Sequence, residues 1–447
     1  MMTQTTLLMT TSTSTTMTTD LARTDPSAVP VVTEPVNAEP VLTEPGNAEP
    51  AVRQPLQEAP EVLAAVAESV GMTLLAARRF SLEATARGYV AGYELELRSP
   101  AVADETHTVY LESNPSSRDR PGVLSFHDED SGDRVSAWLY PNDPELPALA
   151  AAVFPQAATV LLGRLGLQAS TLQVSIAAYR PGKRAVVRLT APEFTVYLKV
   201  VRPAVAGVLH ARHEAWPAHG VPAPRSLGWS GDGFIALESL TGVEAGQVLA
   251  TLPPTGFLDA LDALTSTIGT LPGSAPARAS LVTRLPWYLD RLRALLPGHA
   301  AQITVVGAAI ARRRDAAPAA TPVTVHGDLH VGQIFVAPEQ PTHIVGVLDI
   351  DTAGFGDPAD DAAALYAHLL VTALHLDDHG DAPAAAQARR LAGAARDRWP
   401  RVANGPGFDD RARAIAATHL LGHILGLTGH AATLLDAAAE LVPSPPS

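Results

Sequence analysis

Hydrophobic and polar positions first fall into a regular pattern near Pro60, where they predict a helix followed by short strands. Apolar residues recur at helical spacing over 62–70. Alternation with a period of two, typical of strands that bury one face, then marks four runs. These runs are Tyr93–Arg98, His107–Glu112, Val123–Phe126 and Val135–Tyr140, with a turn predicted at Asp130–Gly132. We therefore expect 59–147 to form a small α/β domain, here called the cap.

A second group of strands follows a predicted helix over Ala148–Gly166. Strands predicted at Leu172–Tyr179 and Ala185–Thr190 flank the charged turn Arg180–Arg184, and a third strand follows at Phe194–Val201. A helix over about Val205–His219 and a strand over Gly233–Leu240 complete the segment 148–236. From 237 to 447 the chain is rich in Ala and has helical periodicity. The pattern favours the α+β class with a strand-rich part before a helical part.

Residues 1–58 have a different pattern and are predicted to be disordered. They comprise a Thr/Ser tract and a ten-residue repeat, TEPVNAEPVL at Thr33 and TEPGNAEPAV at Thr43. Such a segment buries too little apolar surface to offset its ordering entropy. We interpret it as a linker or spacer, with a partner-binding motif as the alternative. Its start lacks the basic and apolar regions of a secretory signal.

Composition and charge narrow the function. The chain has 46 acidic and 32 basic residues, a net charge of −14, and no basic stripe, which argues against a nucleic-acid binder. It has no cysteine, so disulfides, thiolate zinc sites and thiol nucleophiles are excluded. No stretch is long, apolar and uncharged enough to suggest a membrane span. We expect a soluble cytoplasmic enzyme, a monomer or homodimer, with neither nucleic acid nor membrane as a partner.

Two segments near the middle of the helical part carry the candidate chemistry. The first reads HGDLHVGQIF at His326–Phe335, and the second reads DIDTAGFGDPADD at Asp349–Asp361. Asp328 could take the proton of an acceptor hydroxyl group. Gln333 and Asp349 could hold the Mg²⁺ that bridges the phosphates of ATP, because this ion prefers oxygen ligands. The order of these residues therefore predicts phosphoryl transfer.

These two segments resemble the catalytic centre of the aminoglycoside-phosphotransferase-like branch of the kinase superfamily. In that branch the core reads H-G-D-x-x-x-x-N followed by I-D-x-x-x-x-G-D-P-x-x-D, and Gln333 stands at the Asn position. HGDLHxGQ is similar to maltokinase-type sugar kinases and their actinobacterial glucosamine kinase relatives. The resemblance covers roughly 170–370. It implies a two-lobed protein-kinase-like fold, with the β-β-β-α-β segment as small lobe (148–236), the helical part as large lobe (237–447), and an N-terminal cap.

The resemblance also implies how ATP would be bound. Lys199 on the third strand of the small lobe and Glu214 on the next helix match the Lys–Glu ion pair that orders ATP phosphates in kinases. Lys183 lies in the charged turn, where backbone amides and cations could meet phosphates; an ordinary charged hairpin is the alternative. Glu238 and Leu240 match the family's hinge, whose backbone would bond adenine. ATP and Mg²⁺ are the implied cofactors.

A small sugar is the implied acceptor, with D-glucosamine converted to glucosamine 6-phosphate as the sharpest assignment. Asp328 would be the base, and His330 and Asp351 are predicted to contact the acceptor. Maltose and an aminoglycoside remain alternative acceptors. A catalytically silent pseudokinase that acts as a binding module is the alternative from a different class.

Other interpretations of the same residues stay open. His326, Asp328 and His330 could ligate zinc in a hydrolase, although neither an H-E-x-x-H nor a paired-Cys motif accompanies them. Asp361 could hold the catalytic loop from below. In the same segment, Asp357 is predicted to be a helix N-cap with Pro358 at the first helical position. On the apolar helix near the C-terminus, His419 and His423 could bind metal, but satisfied polar positions on a packed helix are the favoured interpretation. Trp287 and Trp399 are assigned to core packing rather than to sugar stacking.

Overall fold

The structure is a computed structural model that describes residues 60–85, 88–99, 104–114, 122–127, 134–273, 275–401 and 405–443. The described chain divides into two compact units. The first unit holds the described residues up to His210 together with Leu227–Leu237, and the second holds Ala211–Ser226 and the described residues from Glu238 onward. The predicted disordered tail and the predicted turn at Asp130–Gly132 lie outside the described residues.

The first unit begins with helix α1, Pro60–Ser69, which packs on a five-stranded antiparallel sheet. The strands are β1 Thr73–Ala84, β2 Tyr89–Arg98, β3 Glu105–Ser113, β4 Leu124–His127 and β5 Arg134–Leu139. Their order is β1-β2-β3-β5-β4. Strand β1 was not predicted, because register shifts at Leu74/Ala76 and Arg79/Ser81 break the alternation that marks a strand.

A second five-stranded sheet completes the first unit. The helices and strands of this part of the chain are α2 Leu149–Val153, α3 Pro155–Arg164, β6 Gln173–Arg180, β7 Arg184–Thr190, β8 Thr195–Val201, α4 Pro203–Ala218, β9 Ser226–Ser230 and β10 Phe234–Glu238. The residues of α4 after His210, the first residue of β9 and the last residue of β10 are counted with the second unit. The strand order is β6-β7-β8-β10-β9. The single helix predicted over Ala148–Gly166 is wrong. Phe154 has extended dihedrals, φ −84° and ψ 119°, because the residue before a proline is pushed out of the helical region, and Pro155 then starts α3.

Within the first unit, aromatic side chains link the two sheets. Tyr110 of β3 meets Tyr179 of β6 edge to face, with ring centroids 5.4 Å apart. The hydroxyl of Tyr179 donates to Asp143 Oδ2 at 2.8 Å, and the amide of Gly182 donates to the same oxygen at 2.7 Å. Burial raises the pKa of the Asp143 carboxyl, while these donors and the amide of Glu145 lower it. The cap sheet is thereby joined to the turn that follows β6.

The second unit is mainly helical, as the pattern from 237 onward predicted. Its helices and strands are β11 Val243–Glu244, α5 Pro254–Gly269, α6 Leu285–Leu295, α7 Ala300–Ala316, β12 Val323–Val325, β13 Ile334–Ala337, β14 Gln340–Val347, β15 Gly354–Gly356, α8 Ala359–Asp378, α9 Ala382–Arg398, α10 Phe408–Ile424 and α11 Ala431–Leu441. Two small sheets, β11-β13-β14 and β12-β15, carry the motif segments. Helix α10 lies at the centre of the core, with every residue from Ala414 to Ile424 buried.

None of the described helices is by itself long and apolar enough to cross a membrane. The segments Leu281–Leu295 and Pro297–Ala316 pass the same length and composition test only as a pair, which is bent by 118°.

Candidate active site

The loop that carries Asp328 is held in place by Asp361. Its carboxylate accepts two backbone hydrogen bonds, from the His326 amide at 2.8 Å and from the Gly327 amide at 2.7 Å. His326 holds the other side of this loop. Its Nε2 lies 2.8 Å from the carbonyl oxygen of Leu348 and must donate to it, because a carbonyl oxygen can only accept. The predicted bracing role of Asp361 is confirmed, and His326 acts as a structural support. Burial raises the pKa of the Asp361 carboxyl, whereas His326 and the two amides lower it.

Gly327 is required by the shape of this loop. Its φ is +85°, a region that side chains rarely adopt, and a Cβ atom there would lie 2.7 Å from the carbonyl oxygen of Thr352. The hydroxyl of Thr352 donates to the carbonyl oxygen of His326 at 2.8 Å. The loop therefore lies against the segment that follows β14, which brings the two motif segments together.

Asp328 is buried, with 6% of its surface exposed, and it is held by an arginine that the sequence did not indicate. Arg278 Nη1 lies 3.0 Å from Asp328 Oδ2, and Arg278 Nη2 lies 2.7 Å from Asp328 Oδ1. The position of Arg278 is set by its backbone, whose amide donates to the carbonyl oxygen of Thr352 at 2.9 Å. Thr352 therefore helps to position both partners, because it bonds directly to Arg278 and, through His326, to the loop that carries Asp328.

The segments that carry Gln333 and Asp349 are brought together by a hairpin. Ile334 pairs with Val347 in the β13–β14 ladder, and the Leu348 amide donates to the carbonyl oxygen of Gln333 at 2.8 Å. Gln333 is 5% exposed, and its side-chain oxygen Oε1 is buried without a hydrogen-bond partner among the described residues. Such an oxygen is costly to leave unpaired. Asp349 adopts the left-handed region with φ 57°, at the start of a 3₁₀ turn.

This donor set fits a hard divalent cation. An amide oxygen and a carboxylate are both oxygen ligands of the kind that Mg²⁺ prefers, and the unpaired Oε1 of Gln333 is the structural sign of a missing partner. The residues present could therefore hold Mg²⁺.

The two residues predicted to contact the acceptor lie in the same unit. His330 Nδ1 accepts a hydrogen bond from the Gly332 amide at 3.2 Å, and its ring stacks on His368 with centroids 4.2 Å apart. Asp351 lies in the 3₁₀ turn after Asp349. Arg212 braces that turn by donating to the carbonyl oxygens of Ile350 and Asp351, both at 2.6 Å. Arg212 is a second positively charged residue that sequence reasoning missed.

Asp360 is a buried carboxyl group close to the Arg278–Asp328 fork. Its Oδ1 accepts from the Ser280 hydroxyl at 2.5 Å, and Arg278 acts on it electrostatically. Burial raises the pKa of Asp360 to about 7, with Asp357 and Asp361 adding to the shift. The predicted N-cap at Asp357 is wrong by one residue, because Pro358 is the N-cap and α8 begins at Ala359. Asp357 still accepts a hydrogen bond from the Ala359 amide at 2.9 Å.

In the first unit, Lys199 lies on β8 opposite Val186 and is 6% exposed. Its predicted partner Glu214 belongs to the second unit. The pair therefore stays a prediction. The predicted hinge residue Glu238 already uses its amide, which donates to the Arg225 carbonyl oxygen at 3.0 Å. An adenine contact at this position would then use the Glu238 carbonyl oxygen or the backbone of Leu240.

The charged turn between β6 and β7 is engaged within the first unit. Lys183 and Arg180 both pair with Glu83 of β1, the Arg180 Nη2 to Glu83 Oε1 distance being 3.0 Å. Glu83 thus forms ion pairs with both Arg180 and Lys183, as would be expected in an ordinary charged hairpin. The predicted contact of Lys183 with phosphate stays a prediction.

Comparison with known proteins places this site in a family. The sequence model of the phosphotransferase enzyme family matches residues 165–404. No curated protein matches the chain.

Several solved structures resemble the chain at low sequence identity. A putative aminoglycoside phosphotransferase from Ralstonia eutropha JMP134 is 16% identical, with 64% of this chain and 94% of that chain covered and a TM-score of 0.41. A thermostable mutant of aminoglycoside phosphotransferase APH(4)-Ia, in ternary complex with AMP-PNP and hygromycin B, is 16% identical (63% and 96% covered, TM-score 0.43). Macrolide 2'-phosphotransferase type I is also 16% identical (65% and 97% covered, TM-score 0.39).

Proposed function

The chain belongs to the phosphotransferase enzyme family, and we propose that it transfers the γ-phosphate of ATP to a hydroxyl group of a small sugar, with D-glucosamine as the acceptor. The observation that carries the proposal is the buried Oε1 of Gln333, which has no hydrogen-bond partner among the described residues and lies at the start of the β13–β14 hairpin, whose second strand leads to Asp349. A proton acceptor and a pair of oxygen ligands on adjoining segments are the parts that phosphoryl transfer needs.

Asp328 is the proposed base. In the reaction, the acceptor oxygen forms a bond to the γ-phosphorus, the bond from that phosphorus to the β–γ bridging oxygen breaks, and ADP leaves with the electron pair. The hydroxyl proton goes to the Asp328 carboxylate. The fork from Arg278 uses one lone pair of each carboxylate oxygen, so each oxygen keeps another to accept this proton.

Gln333 and Asp349 are the proposed ligands of Mg²⁺. When bound, the ion neutralises charge on the phosphate oxygens of ATP. Lys199, Glu214, Lys183, Glu238 and Leu240 remain our proposed nucleotide-binding residues. Lys199 supports this proposal by being a charged side chain almost fully buried in a sheet, where burying an ammonium group has a free-energy cost that a specific role would justify.

An amino sugar suits the acidic groups near the base. Asp351 follows Asp349 by two residues, and Asp328 pairs with Arg278. A protonated 2-amino group could exchange water for a charge-assisted hydrogen bond to one of these carboxylates. Glucose lacks that group, and N-acetylglucosamine has lost its charge and gained bulk. We therefore propose glucosamine ahead of maltose and aminoglycosides.

The test is an ATP-consumption assay over a panel of amino sugars, neutral sugars, maltose and aminoglycosides. Phosphorus NMR of the product would identify the hydroxyl that is phosphorylated. We expect acceptor-dependent ADP release, lowered about 10²–10⁴-fold in kcat by Asp328→Asn, the usual worth of a general base. Asp397→Asn, a change of the same kind at an exposed position of α9, should leave kcat unchanged.

The outcomes separate the parts of the proposal. No turnover with any acceptor would favour the pseudokinase alternative. Wild-type turnover in a folded Asp328→Asn variant would remove the assigned base. Faster use of maltose or an aminoglycoside would replace glucosamine while leaving the phosphotransferase intact.

A further inference from the structure

Three histidines from two helices converge beside the catalytic loop. His419 and His423 are one turn apart on α10, so their side chains share a face. His368 of α8 lies opposite them, with its ring edge-on to His423 at a centroid distance of 4.8 Å. One ring nitrogen from each of the three histidines lies within 4.8 Å of the other two. Here these residues are called the histidine cluster.

The surroundings of His419 bear on the expectation that it is a satisfied polar residue. It is 4% exposed and makes no hydrogen bond to any described residue. His368 likewise makes only ring contacts within the described part of the chain. A buried imidazole has one N–H donor and one lone pair, and leaving both unpaired costs free energy. The expectation that His419 is a satisfied polar position therefore stays a prediction, and its imidazole is available to a ligand that reaches the cluster.

Burial also favours the neutral form of two imidazoles of the cluster, those of His419 and His368. Burial, opposed by the charge of Asp328, lowers the pKa of His419 to about 3. Burial and the neighbouring histidines lower the pKa of His368 well below its usual range. A neutral imidazole has the free lone pair that a metal ion needs, so no proton has to be released when the ion binds at neutral pH.

We propose that His368, His419 and His423 bind one divalent transition-metal ion, with Zn²⁺ as the best match. The group contains imidazole alone, a ligand that suits zinc and its neighbours and is a poor choice for Mg²⁺ or Ca²⁺. In tetrahedral coordination at about 2.0–2.1 Å, ligand nitrogens stand roughly 3.3 Å apart. The ring nitrogens, which lie within 4.8 Å of one another, would have to approach by up to about 1.5 Å on binding.

This site is separate from the proposed Mg²⁺ site, which offers oxygen ligands at Gln333 and Asp349. Three protein ligands leave a fourth position on zinc for water or a hydroxyl group. The ring of His368 stacks on that of His330, a residue of the catalytic loop. A metal ion in the cluster would thus fix α8 and α10 next to the residues proposed to contact the acceptor. Binding of a metal ion by the cluster does not depend on the identity of that acceptor.

The test uses the full-length chain without a purification tag, stripped with chelator and then dialysed against Zn²⁺ in the presence of excess Mg²⁺. We expect one Zn²⁺ per chain by elemental analysis and a rise in Tm with Zn²⁺ concentration, since a ligand that binds only the folded state stabilises it. Co²⁺ in place of Zn²⁺ should give the intense visible absorption of a tetrahedral site.

The variants His419→Ala and His423→Ala should each weaken Zn²⁺ binding at least 10-fold. His375→Ala, an exposed histidine of α8, is the matched control and should bind Zn²⁺ as the wild type does. A wild-type chain that retains no Zn²⁺ and shows no shift in Tm would overturn the proposal without recourse to any variant. Equal binding by the wild type and a folded His419→Ala variant would overturn it as well, because the ion would then be held elsewhere.

Discussion

Arg278 donates one hydrogen bond to each carboxylate oxygen of Asp328, at 3.0 and 2.7 Å. This fork fixes the plane of the carboxylate, because two parallel bonds allow no rotation about the Cβ–Cγ bond. It also places a positive charge beside a buried acid that has Asp361 for a neighbour. Arg278 is therefore a positioning residue for the proposed base, acting through Asp328 rather than on the substrate.

Replacing Arg278 by Lys should lower kcat about 10- to 100-fold and leave the KM for ATP within about twofold, because an ammonium group keeps the charge but cannot form the fork. Steady-state kinetics with ATP and the best acceptor provides the measurement. Arg291→Lys, at an exposed position of α6, is the control and should be neutral. Unchanged kcat in Arg278→Lys would mean that the fork does not position the base.

Gln333→Asn should not be neutral. The change shortens the side chain by one methylene group and draws Oε1 back from the position that the hairpin gives it, whereas Mg²⁺ requires oxygens at about 2.0–2.1 Å. We expect a higher Mg²⁺ concentration for half-maximal activity and a lower kcat. Gln340→Asn, on the exposed end of β14, is the matched control. If the Mg²⁺ titration of Gln333→Asn overlays that of the wild type, Gln333 is not a ligand.

Asp360 should make the protein less stable as the pH rises toward neutrality. Its pKa is raised from 3.8 to about 7, mainly by burial, so the folded state binds a proton that the unfolded state has lost between these values. The contribution of Asp360 to the free energy of unfolding is therefore greatest below about pH 4. It decreases as the pH rises and is lost above about pH 7, a total change on the order of 4 kcal/mol.

Asp360→Asn should therefore flatten the dependence of the unfolding free energy on pH between about 4 and 7, since an amide does not titrate. Urea unfolding at a series of pH values tests this. Asp397→Asn, at an exposed site, should keep the wild-type slope. A slope that Asp360→Asn leaves unchanged would show that Asp360 does not take up the proton.

The features that could be predicted from the sequence are those whose residues lie close together along the chain. Asp328, Gln333 and Asp349 occur in two short segments, and the bracing of the loop by Asp361 was also anticipated and is confirmed by its bonds to His326 and Gly327. The strands of the second sheet, apart from β9, are short apolar or alternating runs bounded by turn residues, which can be recognised along the chain.

What sequence could not predict depends on contacts between distant segments. Arg278 lies fifty residues before Asp328 and reaches it only because its backbone bonds to Thr352. Strand β1 was missed because two register shifts disturb its alternation, and β9 because Gly228 interrupts its short run of apolar residues. The histidine cluster likewise needs α8 beside α10, which neither helix specifies alone.

The acceptor assignment makes Asp351 the residue to change. Asp351 lies in the turn that Arg212 braces through the carbonyl oxygens of Ile350 and Asp351, so the turn's backbone should keep its position when the side chain is altered. If its carboxylate receives the protonated amino group of glucosamine, Asp351→Asn exchanges a charge-assisted hydrogen bond for a neutral one. That difference is on the order of 1.5–3 kcal/mol, or roughly 10- to 100-fold in kcat/KM.

We expect that loss with glucosamine and little change with glucose, which has no charge to lose, so the preference between the two sugars should shrink in the variant. Measuring kcat/KM for both sugars in both proteins gives the comparison within one experiment. Asp381→Asn, the N-cap of α9, is a suitable control because Asn also accepts the capping hydrogen bond from Ala384. Equal losses with glucosamine and glucose would show that Asp351 supports the site without recognising the amino group. A wild-type enzyme that uses both sugars equally would remove the amino-sugar assignment and leave the phosphotransferase in place.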